Sequence, residues 1–198
     1  MTLRIEQDGR LCRIALAGPE KRNVLNSQAC RDLLSEIRNA AEDANTGAIL
    51  LEADGPVFCG GLEEGTPPDQ ELFSIGGSVH KPIVAAVQGV ALSAGMALAA
   101  NAHVVVAAQG TSFGLTDVRD GRWSEVIYRA VARAVGERRA LELSLTGRIF
   151  TAPEALAWGL VHHVAPAFEL DDRATGVAMG LANANPDAIR AAMETKRV

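Results

Sequence analysis

Short apolar runs alternate with stretches of helical periodicity along this chain, and that alternation narrows the available folds more than any other feature. Ala48–Glu52, Ile83–Val87 and His103–Ala107 each read as a buried strand. Between the first hairpin and the first of these runs, Cys30, Leu33, Leu34, Ile37 and Ala41 recur at helical spacing behind a cap at Asn26 or Ser27. Ser93–Ala100 reads as a helix of small residues, and Ser124–Val135 and Glu137–Leu145 as further helices. Thr151-Ala-Pro153-Glu154 opens another helix with proline in its first turn. Val161–Val164 is a candidate strand, and the residues after Pro166 read as helical, interrupted at Pro186. At the start, Leu3–Glu6 and Leu11–Leu16 flank Asp8-Gly9, a hairpin signal. A polar loop runs from Asp54-Gly55-Pro56 to about residue 70, followed by a short helix to about residue 79. Strands separated by helices call for βαβ units and a mostly parallel sheet. Such a sheet takes ligands at the carboxyl ends of its strands, beside helix N-termini.

Several function classes are disfavoured by composition. A net charge of −5 lacks the basic excess of a nucleic-acid binder. The longest apolar region, Ile83–Ala108, is broken by Gln88, Gly89, Ser93, Gly95, Asn101 and His103, which suits buried core rather than a membrane span. The charged opening MTLRIEQDGR has no signal-peptide stretch, so a cytoplasmic protein is the expectation. Cys12, Cys30 and Cys59 are scattered and odd in number, which argues against a disulfide framework or a zinc knuckle. His162 and His163 are adjacent, and on a strand they face opposite sides, so no metal centre is expected from them.

Two glycine-bearing loops each follow a strand: Gly55–Glu63 and Gly89–Met96. Small residues let backbone N–H groups approach a ligand closely, and a helix N-terminus adds its positive dipole end. Two such loops can aim two amides at one oxygen, the arrangement that stabilises an enolate or a tetrahedral oxyanion. Either loop alone reads more simply as a tight turn.

Five stretches in order make the case specific: Pro19–Asn26, Gly55–Glu63, Lys81–Gly95, Ser112–Asp117 and Ala140–Gly147, followed by Ala155–Val161. Together they resemble the enoyl-CoA hydratase/isomerase (crotonase) superfamily over roughly residues 3 to 166. The resemblance implies an α/β fold of the crotonase-like (ClpP/crotonase) ββα spiral type: a core domain over 1–166 and a short helical C-terminal segment over 167–198. It implies a homotrimer or dimer of trimers, an acyl-CoA thioester as substrate, and no metal or organic cofactor. The oxyanion donors would be the backbone N–H groups of Leu62 and Ala94. The CoA-binding set would be Lys21, Arg22, Val24 and Gly61, with the two basic side chains placed to meet CoA phosphates.

Hydratases of that superfamily use two carboxylates. At the position of the first this chain has Ala97; the second matches Asp117. One carboxylate suffices to shuttle a proton between two carbons, so the chemistry leans towards enoyl-CoA isomerisation. Glu125, in Gly121-Arg-Trp-Ser-Glu125, occupies a turn where some relatives place a catalytic carboxylate, which leaves hydration by Asp117 plus Glu125 as an alternative. The plainer role for Glu125 is an exposed first-turn acid complementing the helix dipole. Asp120 is a weaker candidate. Ser93, in Ala91-Leu-Ser93-Ala-Gly95, partly imitates a nucleophile elbow and keeps open a Clp-like serine hydrolase, which would need a histidine base. The preferred reading of Ser93 is a small helix N-cap. A non-catalytic acyl-CoA binder is the third class. Ala97, the shortened loop after Glu63 and the chain's end at Val198, where many members continue, all bear on it. Leu62, Leu72 and Phe73 are candidates for lining an apolar acyl site or for ordinary core.

Overall fold

The computed structural model describes residues 2–195; the last three residues of the expected helical C-terminal segment lie outside them. The first hairpin pairs β1 (Thr2–Asp8) with β2 (Leu11–Ala17), Asp8 opposite Leu11. The turn is therefore Gly9-Arg10 and not Asp8-Gly9. Gly9, at φ +55°, supplies the left-handed residue the turn needs, and Asp8 extends the strand. Helix α1 (Ser27–Glu42) is capped by Asn26, whose side chain accepts from the Ala29 amide at 2.9 Å. Cys30, Leu33, Leu34 and Ile37 are buried as the spacing predicts, and the last core position falls to Ala40 rather than Ala41.

Strands β3 (Ala48–Ala53), β4 (Ile83–Val87), β6 (Val104–Ala108) and β9 (His163–Ala165) follow β2 in parallel, giving a six-stranded sheet in the order β1-β2-β3-β4-β6-β9. Both faces of its centre are covered, so the strands read as continuous apolar runs. One face presents Ile14, Leu16, Ile49, Leu51, Ala85 and Val87 to the main core, which includes α1. The other presents Leu50, Val84, Ala86, Val106 and Ala108 to Leu170, Ala174, Ala178 and Ala182 of α6 (Leu170–Ala182).

Sequence periodicity missed a second, three-stranded sheet: β5 (Val90–Leu92), β7 (Ser112–Gly114) and β8 (Ile149–Thr151). At three residues each, these strands are too short to show a period of two. The chain passes from the large sheet to the small one at Gln88-Gly89, directly after β4. Helix α2 (Ala94–Asn101) follows β5, and β6 crosses back to the large sheet. The segment expected as a short helix before residue 79 is a 3-10 turn over Leu72–Gly77. Around the core stand α3 (Glu125–Val135), α4 (Glu137–Thr146), α5 (Ala152–Ala157) and, after α6, α7 (Pro186–Thr195). Thr151 caps α5 as expected, and Glu154 bonds back to the Thr151 amide to complete a capping box. No described helix is long and apolar enough to cross a membrane.

Candidate active site

Three loops leave the carboxyl ends of the parallel strands β2, β3 and β4, and hydrogen bonds gather them at one place. Cys59 lies in a parallel bridge with Ala91: its amide donates to Val90 O at 3.1 Å and its carbonyl accepts from Leu92 N at 3.0 Å. Leu25 and Leu62 form a second bridge, through Leu25 N to Gly61 O at 3.0 Å and Glu63 N to Leu25 O at 2.8 Å. The first glycine loop is thereby sandwiched between the 18–26 loop and β5.

Side chains tighten this junction. Asn23 is fully buried at φ +52°. Its Oδ1 accepts from the Gly18 amide at 2.8 Å, and its Nδ2 donates to Asp54 O at 3.0 Å and Val57 O at 2.7 Å. Gln88 Nε2 donates to Ala53 O at 2.7 Å and Gly55 O at 3.0 Å. Both residues escaped the sequence reading. The signal for Asn23 was an amide residue, tolerant of positive φ, between charged positions and a buried Leu25. Asn23→Ala leaves three backbone groups without their partner, that of Gly18 buried and those of Asp54 and Val57 partly buried, and is expected to cost about 3 kcal/mol, or about 6–12 °C in melting temperature for a chain of this size. Thermal unfolding of the variant checks this.

Leu62 and Ala94 occupy equivalent places in the two loops. Neither amide donates to a described residue in any turn, loop or cap. In the Leu25–Leu62 bridge the flanking groups, Gly61 O and the Glu63 amide, make the bonds, which turns the Leu62 amide to the other side. Ala94 is the first residue of α2, so its N–H has no partner within the helix. The loops touch here: a Cβ on Gly61 would lie 3.7 Å from Leu92 O and 4.0 Å from Ser93 Cβ, and a Cβ on Gly95 only 2.4 Å from Cys59 O.

β7, which leads to Asp117, runs against the second glycine loop. The Ser93 amide donates to Gly114 O at 2.8 Å, and Asp117 begins a 3-10 turn three residues further on (Asp117–Asp120). Its side chain is 23 % exposed, with Oδ1 3.8 Å from Arg122 Nη2. It lines a small cavity with Leu115, Val118, Trp123, Ser124, Ile127, Tyr128 and Ser144. Asp120 pairs with Arg122 at 2.9 Å. Ala97, at the position of the absent carboxylate, is fully buried in α2.

Glu125 sits elsewhere. It opens α3 behind the Ser124 cap, its side chain is 66 % exposed, and its carboxylate accepts from Arg129 Nε at 2.9 Å and Nη2 at 2.6 Å. It borders two clefts beside α3, of about 380 and 660 Å³, rather than the cavity of Asp117. Leu62 and Ala94 line neither cleft. Phe73 contributes to the smaller one while remaining, with Leu72, in the core; Leu62 packs against that core partly exposed.

Lys21 and Arg22 are exposed on the 18–26 loop, Arg22 at φ +56°, and Arg22 O accepts from the Gly60 amide at 2.9 Å. Val24 touches the same glycine: a Cβ on Gly60 would lie 3.2 Å from Val24 Cγ2. Arg22 and Val24 therefore lie against Gly60, next to Gly61 and Leu62, with Lys21 one residue before Arg22 on the same loop.

The histidines stand at the other edge of the sheet. His80, His103 and His162 precede the first residues of β4, β6 and β9, and His163 opens β9, whereas Ser93 lies beyond the carboxyl end of β4. His103 Nδ1 accepts from Ile83 N at 2.8 Å and His162 Nδ1 from Val105 N at 3.0 Å. Burial, and after it the neighbouring His163, lowers the His162 pKa. Burial pushes Cys59 up to about 12, so it is an inert thiol within the loop. Among the described residues no group of His, Cys, Asp and Glu could hold a metal ion.

A sequence model of the enoyl-CoA hydratase/isomerase family matches residues 6–197. The chain is 33% identical over 192 residues to the rat mitochondrial enoyl-CoA hydratase domain-containing protein 3, covering 90% of this chain and 64% of that protein. It thus spans under two thirds of that relative's length. It is 31% identical to a probable enoyl-CoA hydratase of Mycobacterium tuberculosis, covering 98% of this chain and 80% of the relative. The crystal structure of human enoyl-CoA hydratase domain-containing protein 3 superposes with a TM-score of 0.91 at 28% identity, over 98% of this chain and 82% of that one.

Proposed function

The chain belongs to the enoyl-CoA hydratase/isomerase family, and from that membership we propose that it binds an acyl-CoA thioester and moves a proton alpha to the carbonyl. The observation that supports this reading is that the Leu62 and Ala94 amides, neither with an acceptor among the described residues, stand on two loops that touch at Gly61 and Ser93. A thioester oxygen between them would gain charge as the enolate forms and be held by dipoles already in place. Asp117 accepts the proton from C2 of a 3-enoyl thioester and returns it to C4. The double bond moves into conjugation and the carboxylate is regenerated. Lys21 and Arg22 would face the CoA phosphates, with Val24 and Gly61 completing the CoA-binding set.

Isomerisation is favoured over hydration by one feature. Ala97 carries no carboxylate, and Glu125, the substitute, has its charge taken up by Arg129 in an exposed pair. Hydrolysis through Ser93 is disfavoured because the histidines lie at the opposite edge of the sheet. We further propose the family's homotrimeric assembly and a cytoplasmic location, with the thioester as substrate and no other cofactor.

A panel of 2-enoyl, 3-enoyl and 3-hydroxyacyl CoA thioesters, followed by mass spectrometry in D2O, tests the reading. Interconversion of the chromatographically separated enoyl isomers with no gain of a water's mass is expected, with deuterium taken up only where the Asp117 proton exchanges before its return. Efficient water addition would overturn the one-carboxylate mechanism. Tight binding without conversion of any thioester would identify a non-catalytic binder instead.

A further inference from the structure

We propose that the Ser93 hydroxyl is a third hydrogen-bond donor to the bound thioester, beside the two amides; this rests on the acyl-CoA reading above. Ser93 holds φ +48° and ψ −104°, a region that glycine enters freely and that a residue with a Cβ enters at a cost. Its backbone is committed on both sides: the N–H donates to Gly114 O at 2.8 Å and the carbonyl accepts from Ala97 N at 2.9 Å. Only the side chain is left over. The residue is 4 % exposed, yet its Oγ makes no cap bond and no other hydrogen bond to a described residue. The expected N-cap role for Ser93 is therefore filled in position alone.

An unpartnered hydroxyl sealed in the protein would be destabilising, and among the described residues no sealed side-chain N or O atom lacks a partner. The Oγ of Ser93 is consequently not completely sealed, although the residue is otherwise buried. Gly61 is the near neighbour across the gap between the loops: its missing Cβ would lie 4.0 Å from Ser93 Cβ. The next amide along the chain is that of Ala94. A glycine at position 93 would relieve the backbone and remove the orphan hydroxyl together. The serine makes physical sense where a ligand atom supplies the acceptor, and the ligand atoms that belong between Leu62 and Ala94 are those of the thioester.

Binding of acetoacetyl-CoA and of free CoA to the wild type, Ser93→Gly and Ser93→Ala distinguishes the possibilities. Ser93→Gly removes the strain as well as the hydroxyl, so its melting temperature should not fall. Its affinity for acetoacetyl-CoA should drop about three- to tenfold, with free CoA unaffected, and Ser93→Ala should show the same split. Unchanged acetoacetyl-CoA affinity, or equal losses for both ligands, would overturn the donor role. Stoichiometric labelling of Ser93 by a fluorophosphonate would replace it with a nucleophile. A wild-type protein that binds acetoacetyl-CoA no better than CoA would instead remove the acyl-CoA reading, and the proposal with it.

Discussion

An Asp117→Ala variant should lose about 10²–10⁴-fold in the rate of enoyl isomerisation, the range associated with one positioned acid–base group. Its dissociation constant for a saturated acyl-CoA should change by less than about threefold, since the side chain serves proton transfer and not ground-state binding. The geometry supports this split. Asp117 stands at the first position of a 3-10 turn, its backbone carbonyl accepting from the Gly121 and Arg122 amides. These bonds hold the turn whatever side chain is present. Its carboxylate lies 3.8 Å from Arg122 Nη2, a distance beyond a hydrogen bond, so truncation leaves no broken short pair. Stopped-flow turnover and calorimetric binding on one preparation check both halves. Turnover within about threefold of wild type would eliminate Asp117 as the base.

The same residues show how much of the molecule was legible beforehand. The large sheet, α1 with a cap at Asn26 or Ser27 and the capped start of α5 could all be read locally, because each is written in the spacing or chemistry of adjacent residues. The small sheet was not, since three-residue strands carry no period and their pairing is set by tertiary contact. Within the site, sequence could place Leu62, Ala94 and Asp117 on loops but could not say what brings those loops together. Asn23 and Gln88 do so by bonding to backbone carbonyls of segments 31 to 35 residues away, a relation without a local signature. Glu125 illustrates the reverse case. Its i,i+4 relation to Arg129 was present in the sequence, and that pairing, more than its place in a catalytic-looking turn, describes its surroundings. Ser93 fits an elbow pattern by spacing, yet only its backbone angles and unbonded hydroxyl separate it from an ordinary cap.

The second large effect concerns the fit between the glycine loops. Gly95→Ala is expected to lower turnover by about 10²–10³-fold, the loss typical of one missing oxyanion donor, and stability by about 1–3 kcal/mol through overpacking. Gly95 lies in the first turn of α2 without a positive φ, so alanine is conformationally acceptable there and only space opposes it. The added methyl would stand 2.4 Å from Cys59 O and 2.8 Å from Cys59 Cβ. A backbone carbonyl cannot swing aside as a flexible side chain can, least of all one accepting from Leu92 N at 3.0 Å. The strain is relieved only by separating α2 from the first loop, and that movement draws the Ala94 amide away from the Leu62 amide. CoA itself contacts neither amide in this scheme, so its affinity should survive. Turnover measured well below the variant's melting temperature, with CoA binding in parallel, separates a misaligned oxyanion hole from an unfolded protein. Wild-type turnover in a variant of proven sequence would mean that the two amides do not act on one oxygen.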